Sequence, residues 1–208
     1  MRLIKTAASI FHVALQFSTR SIKEHKEAIQ TFILQHAAGD DGRILDFGCG
    51  EGLFSDLAGG DKNKFGYFGV DKDINSLNFA KIINRPASYI AGNERLCFKN
   101  MTFNFIILNS VMHHMSQAEL QVFISEAKRV MREKAVLIIM ELLPRDQQRG
   151  FFFRIVTYFE EKIKRIVYRD TNALENLFSG DFEMIFSRKM GDNYKEYIFA
   201  LRSPFKAG

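Results

Sequence analysis

Runs of apolar residues alternate with amphipathic stretches along most of this chain. Five runs are dominated by apolar residues, which is typical of strands that a parallel sheet buries on both faces. They cover residues 43–47, 65–70, 87–91, 105–108 and 135–140. Helical spacing of apolar residues follows several of them, most clearly behind the capping box at 116–119. Two last runs, 182–186 and 197–201, flank a turn at 191–193 and predict a hairpin. The pattern predicts an α/β fold.

Glycines stand at alternate positions directly after the first predicted strand, in the segment 45–52 (LDFGCGEG). Apolar residues at helical spacing follow, so we expect a strand, a glycine loop and a helix. Glycine permits positive φ and lets a ligand lie against the backbone, and a helix N-terminus adds free N–H donors. The pattern predicts a site for a nucleotide-like cofactor. A tight turn without a ligand is the alternative.

The spacing of these glycines argues against two classes of cofactor. A dinucleotide fingerprint, G-x-G-x-x-G, requires a third glycine where this chain has Leu53. The G-K-[ST] sequence of a triphosphate-binding loop does not follow either. Asp46, which precedes the glycines, suits a ligand that carries an amino group.

An acidic residue closes the second predicted strand. Asp71 lies close to the offset of roughly 20 residues at which doubly wound folds place a carboxylate on ribose hydroxyls. Asp73 is a competing candidate, but it precedes Ile74, Leu77 and Ala80 and fits better as the N-cap of a helix. We therefore assign ribose binding to Asp71 and the cap to Asp73.

On these residues the chain resembles the class I S-adenosylmethionine-dependent methyltransferases. Their first motif reads D-x-G-x-G-x-G and stands here at 46–52, and the V-L-H-H-L string that many of them carry is similar to VMHHM at 111–115. The resemblance implies a Rossmann-like, doubly wound seven-stranded sheet of order 3-2-1-4-5-7-6, with strand 7 antiparallel and helices on both faces. It also implies S-adenosyl-L-methionine as the cofactor and S-adenosyl-L-homocysteine as the product.

The resemblance also implies which residues hold the cofactor. Asn93 stands where the family usually carries an aspartate that accepts from the adenine amino group, and its amide oxygen can still accept. Asn109 and Ser110 follow the fourth strand and are expected to hold the methionine end, mainly through backbone carbonyls. The implied cofactor-binding residues are Asp46, Gly48, Cys49, Gly50, Gly52, Asp71, Lys72, Asn93, Glu94, Asn109 and Ser110.

Two adjacent histidines, His113 and His114, are the candidate catalytic residues. One of them could act as a general base on a substrate hydroxyl or amine, since histidine titrates near neutral pH. The interpretation that we favour is structural: one ring packs under the sheet edge and orients the loop. Metal binding is disfavoured, because adjacent histidines point in different directions and no third ligand stands at suitable spacing. We expect no metal.

The segment 150–169, after the fifth predicted strand, has one apolar stripe at helical spacing and basic residues around its other faces. The simplest interpretation is a helix that covers the sheet or the mouth of the active site. A functional interpretation is that its aromatic end, Phe151, Phe152 and Phe153, lines an apolar substrate pocket. A third is that the helix contacts an anionic membrane surface.

The net charge of +5 makes nucleic acid a conceivable substrate. However, the basic residues are spread along the chain, and the N-P-P-[YF] signature of nucleic-acid amino methyltransferases is missing at 109–112. We therefore expect methyl transfer to a small, fairly apolar metabolite. The alternatives are an RNA methyltransferase, or an inactive cofactor-binding protein that acts through a partner.

Composition agrees with one domain over the 208 residues, of which 47% are hydrophobic and 25% charged. We divide it into an N-terminal helical region (1–40), a cofactor-binding core (43–144), a helical substrate or lid insertion (145–180) and a terminal hairpin (181–204). Residues 1–17 are expected to form an amphipathic helix beside the active-site face rather than a targeting segment. The positions of the two cysteines do not suggest a disulfide and fit a reducing cytoplasm. The oligomeric state is left open.

Overall fold

The computed structural model of this protein describes residues 20–36, 42–58, 65–83, 87–163, 166–190 and 192–201. Its described strands are β1 (Arg43–Phe47), β2 (Gly66–Asp71), β3 (Ser88–Ala91), β4 (Phe103–Asn109), β5 (Met131–Leu142), β6 (Phe182–Met190) and β7 (Tyr194–Leu201). Its described α-helices are α1 (Arg20–His36), α2 (Ile74–Ile83), α3 (Gln117–Val130), α4 (Phe151–Ile163) and α5 (Thr171–Phe178).

The seven strands form one sheet in the order β3-β2-β1-β4-β5-β7-β6. Strands β1 to β5 pair in parallel, whereas β7 runs antiparallel to both of its neighbours, β5 and β6. The predicted sheet order and the single antiparallel strand are therefore confirmed. The strand order reverses between β1 and β4, and doubly wound folds bind ligands at that point, beyond the carboxyl ends of the strands.

Helices cover both faces of the sheet, because alternate residues of each strand point to opposite sides. On one face, Leu45 and Ile106 of the sheet share a core with Phe123 of α3 and Phe178 of α5. On the other face, α1 and α2 pack against the neighbouring strand positions. That second core contains Ile29, Ile33, Ile44, Tyr67, Leu77, Ala80, Ile107 and Ile138. The sheet is thus buried on both sides, as its apolar runs predict.

Strands β4 to β7 are longer than the apolar runs that predict them. Strand β5 starts at Met131, which pairs with Phe103 before the register shifts, and the hairpin closes with Met190 opposite Tyr194. Backbone pairing continues through polar positions at strand ends, where no apolar pattern marks it. In these four strands the apolar run therefore locates part of the strand and not both of its bounds.

Helix starts follow local capping rules. Ser116 and Glu119 form the predicted capping box at the start of α3, and Asp73 accepts from the backbone N–H of Asn75 at 3.1 Å, before α2. Helix α5 begins one residue earlier than expected: its N-cap is Asp170, which accepts from the N–H of Ala173, and Thr171 is already helical. Aspartate is the stronger of these two caps, which accounts for the difference.

Two predicted helices differ from the structure. After the glycine loop there is a single 3-10 turn, Ser55–Ala58, where we expect an α-helix. Gly59 and Gly60 follow at once, and glycine disfavours helix propagation. The second helix is α4, which ends at Ile163, so that Arg169 lies outside it. The helical spacing over 150–169 predicts Arg169 among the basic residues on the other faces of this helix; in the structure it lies beyond the helix and is buried.

The amphipathic helix expected at 1–17 lies outside the described residues. The described part of the N-terminal region is helix α1, which begins at Arg20. Within the described ranges, no helix combines the length and the apolar character that crossing a bilayer requires.

Candidate functional site

The glycine loop folds back over the end of β2 through backbone hydrogen bonds. The N–H groups of Gly48 and Cys49 both donate to the carbonyl of Val70, at 2.7 and 3.1 Å. The N–H of the next residue, Gly50, donates to the Oδ2 atom of Asp71 at 2.8 Å. The loop after β1 and the carboxylate after β2 are thereby joined at one edge of the sheet.

The three glycines of the motif all have the left-handed backbone that disfavours other residues, with φ of 73° at Gly48, 51° at Gly50 and 76° at Gly52. At Gly48 a Cβ atom would lie 2.4 Å from a methyl carbon of Val111, so the loop after β4 excludes any side chain there. At Gly50 a Cβ atom would meet nothing within 4 Å. Gly48 is thus required by packing, whereas Gly50 leaves open space above the backbone.

Asp71 is oriented by two backbone donors. Its Oδ2 accepts from Gly50 and its Oδ1 accepts from the N–H of Asp73, each at 2.8 Å. Each carboxylate oxygen has a second lone pair that these bonds do not use. The side chain is therefore held in place with acceptor capacity left over, which is what a pair of ribose hydroxyls requires.

A cavity of about 390 Å³ opens beside Asp71, at the carboxyl ends of β1, β2 and β4. Its walls come from the glycine loop and from the turns after β2, β3 and β4. They consist of Phe47, Gly48, Val70, Asp71, Lys72, Asp73, Ser76, Gly92, Asn93, Glu94, Ser110, Val111, His114 and Met115. We call this space the Asp71 cavity. Six predicted cofactor residues line it: Gly48, Asp71, Lys72, Asn93, Glu94 and Ser110.

Five predicted cofactor residues do not line this cavity: Asp46, Cys49, Gly50, Gly52 and Asn109. Gly50 nevertheless donates to Asp71, as described above. The thiol of Cys49 is buried, and burial raises its pKa well above the usual range. Its Sγ lies 3.8 Å from the carbonyl of Gly50 and underneath the loop. Cys49 therefore contributes backbone to the loop, and its side chain belongs to the core of the second face.

Asp46 lies in the interior beneath the loop, where it is 1% exposed. Burial is the main reason that its pKa rises to about 7; a hydrogen bond from the Tyr67 hydroxyl opposes the rise, and the charge of Asp71 adds to it. Among the described residues, its second oxygen, Oδ1, has no hydrogen-bond partner. The predicted contact with an amino group is thus compatible with an unused acceptor, and it stays a prediction.

Asn93 is exposed at the cavity wall, and its Oδ1 accepts from the N–H of Arg95 at 3.2 Å. This bond fixes the side chain in an Asx turn and leaves the oxygen one lone pair. Glu94 beside it is half-buried. The predicted adenine-binding turn is present at the cavity, with a fixed acceptor.

The loop after β4 supplies unused polar atoms. Ser110 has a φ of 57°, uncommon for a residue with a side chain, and its N–H donates to Met140 of β5 at 2.8 Å. Among the described residues, neither Oδ1 of Asn109 nor Oγ of Ser110 has a hydrogen-bond partner, although both atoms are buried. Buried polar atoms normally find partners. These two are therefore suited to a bound ligand at this edge.

The two histidines differ in their surroundings. His113 is 1% exposed and its ring Nδ1 bonds the carboxylate of Glu141, which also accepts from the His113 backbone N–H at 3.1 Å. His114 is half-buried and lines the Asp71 cavity, with its ring centroid 4.0 Å from that of His113. The geometry separates the pair into a ring that fixes the loop and a ring that faces the cavity. Of the two predicted bases, only His114 lines the site.

Sequence reasoning missed Glu141 and Arg169, which both bond the histidine loop: Glu141 at His113, and Arg169 at the carbonyls on either side of the histidine pair. The guanidinium of Arg169 donates to the carbonyls of Met112 and Met115, at 2.8 and 3.1 Å. Burial lowers the pKa of Arg169, against the effect of the Glu141 charge. A glutamate that ends an otherwise apolar strand was a usable signal, because a buried carboxylate requires partners. No local pattern marks Arg169.

Phe151 and Phe153, at the start of α4, do not line the Asp71 cavity. Phe151 is 75% exposed and lines a second cavity of about 900 Å³, whereas Phe153 is half-buried and stacks edge-on against Tyr194 at 6.0 Å. The side chain of Phe152 is outside the described part. We call the second cavity the α4 groove; it is lined by Arg145, Gln148, Arg149, Gly150, Phe151, Arg154, Ile155 and Tyr158. It shares no lining residue with the Asp71 cavity.

Solved structures with this architecture include methyltransferases. The PH0226 protein of Pyrococcus horikoshii is 19% identical, with 89% of this chain and 93% of that chain covered and a TM-score of 0.67. A TehB-like methyltransferase of Corynebacterium glutamicum is 14% identical, with coverages of 83% and 87% and a TM-score of 0.61. The magnesium protoporphyrin IX methyltransferase of Synechocystis, solved with S-adenosylhomocysteine bound, is 10% identical, with coverages of 88% and 84% and a TM-score of 0.63. These similarities support the fold.

The sequence itself matches one family. A search of curated proteins gives no match. The sequence model of a family described as a methyltransferase domain, however, matches residues 21–181, which is most of the chain and includes every wall of the Asp71 cavity. The chain therefore belongs to the methyltransferase domain family of S-adenosylmethionine-dependent class I enzymes, which confirms the family and the cofactor predicted from its sequence.

Proposed function

We propose that this protein transfers the methyl group of S-adenosylmethionine to a small, fairly apolar metabolite, with the cofactor held in the Asp71 cavity. The observation that carries the proposal is the joining of Gly50 and Asp71: a loop with open space above it, bonded to a carboxylate that keeps acceptor capacity. A ligand with a ribose and an extended chain fits both features.

The residues of the chain divide the work of binding. Asp71 accepts from the ribose hydroxyls, and Asn93 accepts from the adenine amino group at the turn after β3. The open backbone at Gly50 and the unused oxygens of Asn109 and Ser110 take the methionine end. Asp46, beneath the loop, supplies a further acceptor toward the amino group. Asp46, Asp71 and Asn109 lie in β1, β2 and β4, and the others follow strand ends, so the sheet holds all of them in place.

The bound cofactor supplies an electrophilic methyl group on a sulfonium. The chain then has to position the acceptor atom in line and exclude water, which provides most of the rate in such a reaction. Val111 and Met115, which follow β4, give the Asp71 cavity apolar wall residues. They support an apolar methyl acceptor. His114 faces the same space and is the candidate to take the acceptor's proton, through whichever ring nitrogen points to it.

The direct test is calorimetry of S-adenosylmethionine binding to the wild type and to Asp71→Ala. Loss of the ribose contacts to a charged acceptor should weaken binding by about 2 kcal/mol or more, whereas Glu183→Ala, at an exposed carboxylate on β6, should bind as the wild type does. Equal affinities of wild type and Asp71→Ala, with both folded, would contradict the assignment of the ribose.

The acceptor is identified with a labelled cofactor. Metabolite pools and RNA are offered separately to the wild type, and label should enter the small-molecule fraction. A His114→Ala variant should then keep its cofactor affinity and lose turnover. Label in RNA alone would contradict the metabolite proposal and identify RNA as the methyl acceptor. Cofactor binding without labelling of either pool would favour a protein that binds the cofactor and acts through a partner.

A further inference from the structure

The outer face of α4 presents an apolar stripe to solvent. Phe151, Ile155 and Tyr158 recur at positions i, i+4 and i+7, which places them on one side of the helix. They are 75%, 37% and 41% exposed. Burying the exposed ring of Phe151 would remove apolar surface from water and lower the free energy. This face is therefore suited to contact with a partner.

The opposite face of α4 anchors the helix to the domain. Thr157 is fully buried, and its hydroxyl bonds Oε1 of Gln148 at 3.3 Å. Phe153 packs on the small core formed with Met140 and Tyr194. Because its inner side is fixed in this way, the stripe is presented as a firm surface.

Arginines surround the stripe. Arg145, Arg149 and Arg154 line the α4 groove, and the described lining contains no carboxylate. The guanidinium of Arg145 lies 5.4 Å from the ring centroid of Tyr158 and also bonds Glu161 at 3.0 Å. Arg149 and Arg154 form no ion pair with a described carboxylate, and both are exposed. The groove therefore combines apolar side chains with three arginines, of which Arg145 is paired and Arg149 and Arg154 have no ion pair with a described carboxylate.

We propose that the outer face of α4 docks on an anionic phospholipid membrane. Phe151, Ile155 and Tyr158 would enter the boundary between headgroups and acyl chains, while the arginines remain at the level of the lipid phosphates. The chain's net charge of +5 favours the approach to such a surface.

The experiment is co-sedimentation of the full chain with vesicles. One set consists of phosphatidylcholine alone and the other of phosphatidylcholine mixed with phosphatidylglycerol. The wild type should bind the mixed vesicles, and high salt should weaken the binding because it screens surface charge. Arg149→Glu combined with Arg154→Glu should lower the partition coefficient roughly tenfold or more. Phe151→Ala should lower it severalfold without changing the salt dependence.

Two variants serve as matched controls. Lys99→Glu combined with Lys189→Glu makes the same change in net charge at exposed positions elsewhere, and Ile82→Ala removes a side chain that is 76% exposed on α2. Both should sediment as the wild type does. Asp71→Ala should also keep vesicle binding, which separates this proposal from the proposed function.

Three results would overturn the proposal. The first is failure of the wild type to bind mixed vesicles at low salt while circular dichroism shows it folded. The second is equal loss of binding in the α4 variants and in the two controls. The third is binding of RNA that competes with the vesicles and is lost with the arginines but kept in Phe151→Ala, since that pattern describes a nucleic-acid surface.

Discussion

The Asp71 cavity and the α4 groove both combine apolar walls with charged side chains, but they are built in different ways. In the Asp71 cavity, the polar groups are fixed by backbone donors, as Asp71 is by Gly50 and Asp73. In the α4 groove, the charges are exposed arginines on long side chains, and the apolar residues face solvent. The first is preorganised for a ligand of fixed shape. The second is suited to a partner that is itself fluid.

The largest expected difference between the two regions concerns their carboxylates. Glu141→Ala removes a buried acceptor from the ring and backbone of His113, and it should lower the free energy of unfolding by about 3–5 kcal/mol. Glu161→Ala, on α4 beside the groove, breaks an ion pair with Arg145, which is 45% exposed, and removes the acceptor of the Tyr168 hydroxyl. It should cost less, about 1–2 kcal/mol. Urea denaturation of both variants measures the difference. Equal costs would mean that the histidine loop is no more rigid than the groove.

The second prediction uses the buried side of the glycine loop. Burial raises the pKa of Asp46 from 3.8 to about 7, so the folded protein prefers the protonated carboxyl. The resulting stabilisation is complete below the unfolded value and is lost as the pH rises through about 7. A shift of that size corresponds to about 4 kcal/mol. Unfolding measured across this pH window should show the loss in the wild type and not in Asp46→Asn.

Tyr67→Phe provides the control for this pH dependence. The Tyr67 hydroxyl donates to Asp46, and that bond lowers the pKa of the carboxyl. Without it, the pKa should rise further and the loss of stability should move to higher pH. The charge of Asp71 also acts on this carboxyl and is unchanged in both variants. A wild-type profile identical to that of Asp46→Asn would contradict the placement of Asp46 in the interior.

Two glycines with positive φ allow a comparison of backbone requirements. Gly48→Ala should destabilise the fold by about 3 kcal/mol or more, because the new Cβ would lie 2.4 Å from Val111 and the left-handed backbone adds strain. Gly150→Ala, with a φ of 90° and its nearest contact at 3.8 Å, should cost only the backbone strain, about 1–2 kcal/mol. Thermal unfolding and cofactor calorimetry distinguish them. Similar losses of cofactor affinity in both would remove the distinction between the two regions.

The residues of the Asp71 cavity could be predicted from the sequence because they stand at strand ends, whereas contacts between distant segments could not. Gly48, Asp71, Asn93 and Ser110 stand at strand ends, and the end of a parallel strand can be located from an apolar run and a turn. These four residues therefore line one cavity. Arg169 reaches a loop 57 residues away in sequence, to bond the carbonyl of Met112. A contact of that kind depends on how α4 and α5 pack, which no local pattern carries.

The α4 segment shows the same limit in another form. Periodicity predicts its amphipathic helix, and the helix exists as Phe151–Ile163. However, Phe151 and Phe153, two positions apart, have opposite environments: one is 75% exposed and the other packs against Tyr194. Residues two apart on a helix lie about 200° apart around its axis. The prediction that the aromatic triplet shares one pocket ignored this rotation, and Phe153 belongs to the core side.

The smallest expected effect tests that division within α4. Phe153→Ala should lower the free energy of unfolding by about 2 kcal/mol, less than the cost of truncating a fully buried phenylalanine, because the ring is half-buried. Phe151→Ala should change it by about 0.5 kcal/mol or less, since the ring is mostly in water. Denaturant unfolding measures both, and cofactor affinity should be unchanged because neither ring lines the Asp71 cavity. A rise in the acceptor's KM for Phe151→Ala at wild-type stability would instead make this ring part of a substrate pocket. The α4 groove would then bind the methyl acceptor, which would have to reach the cofactor in the Asp71 cavity.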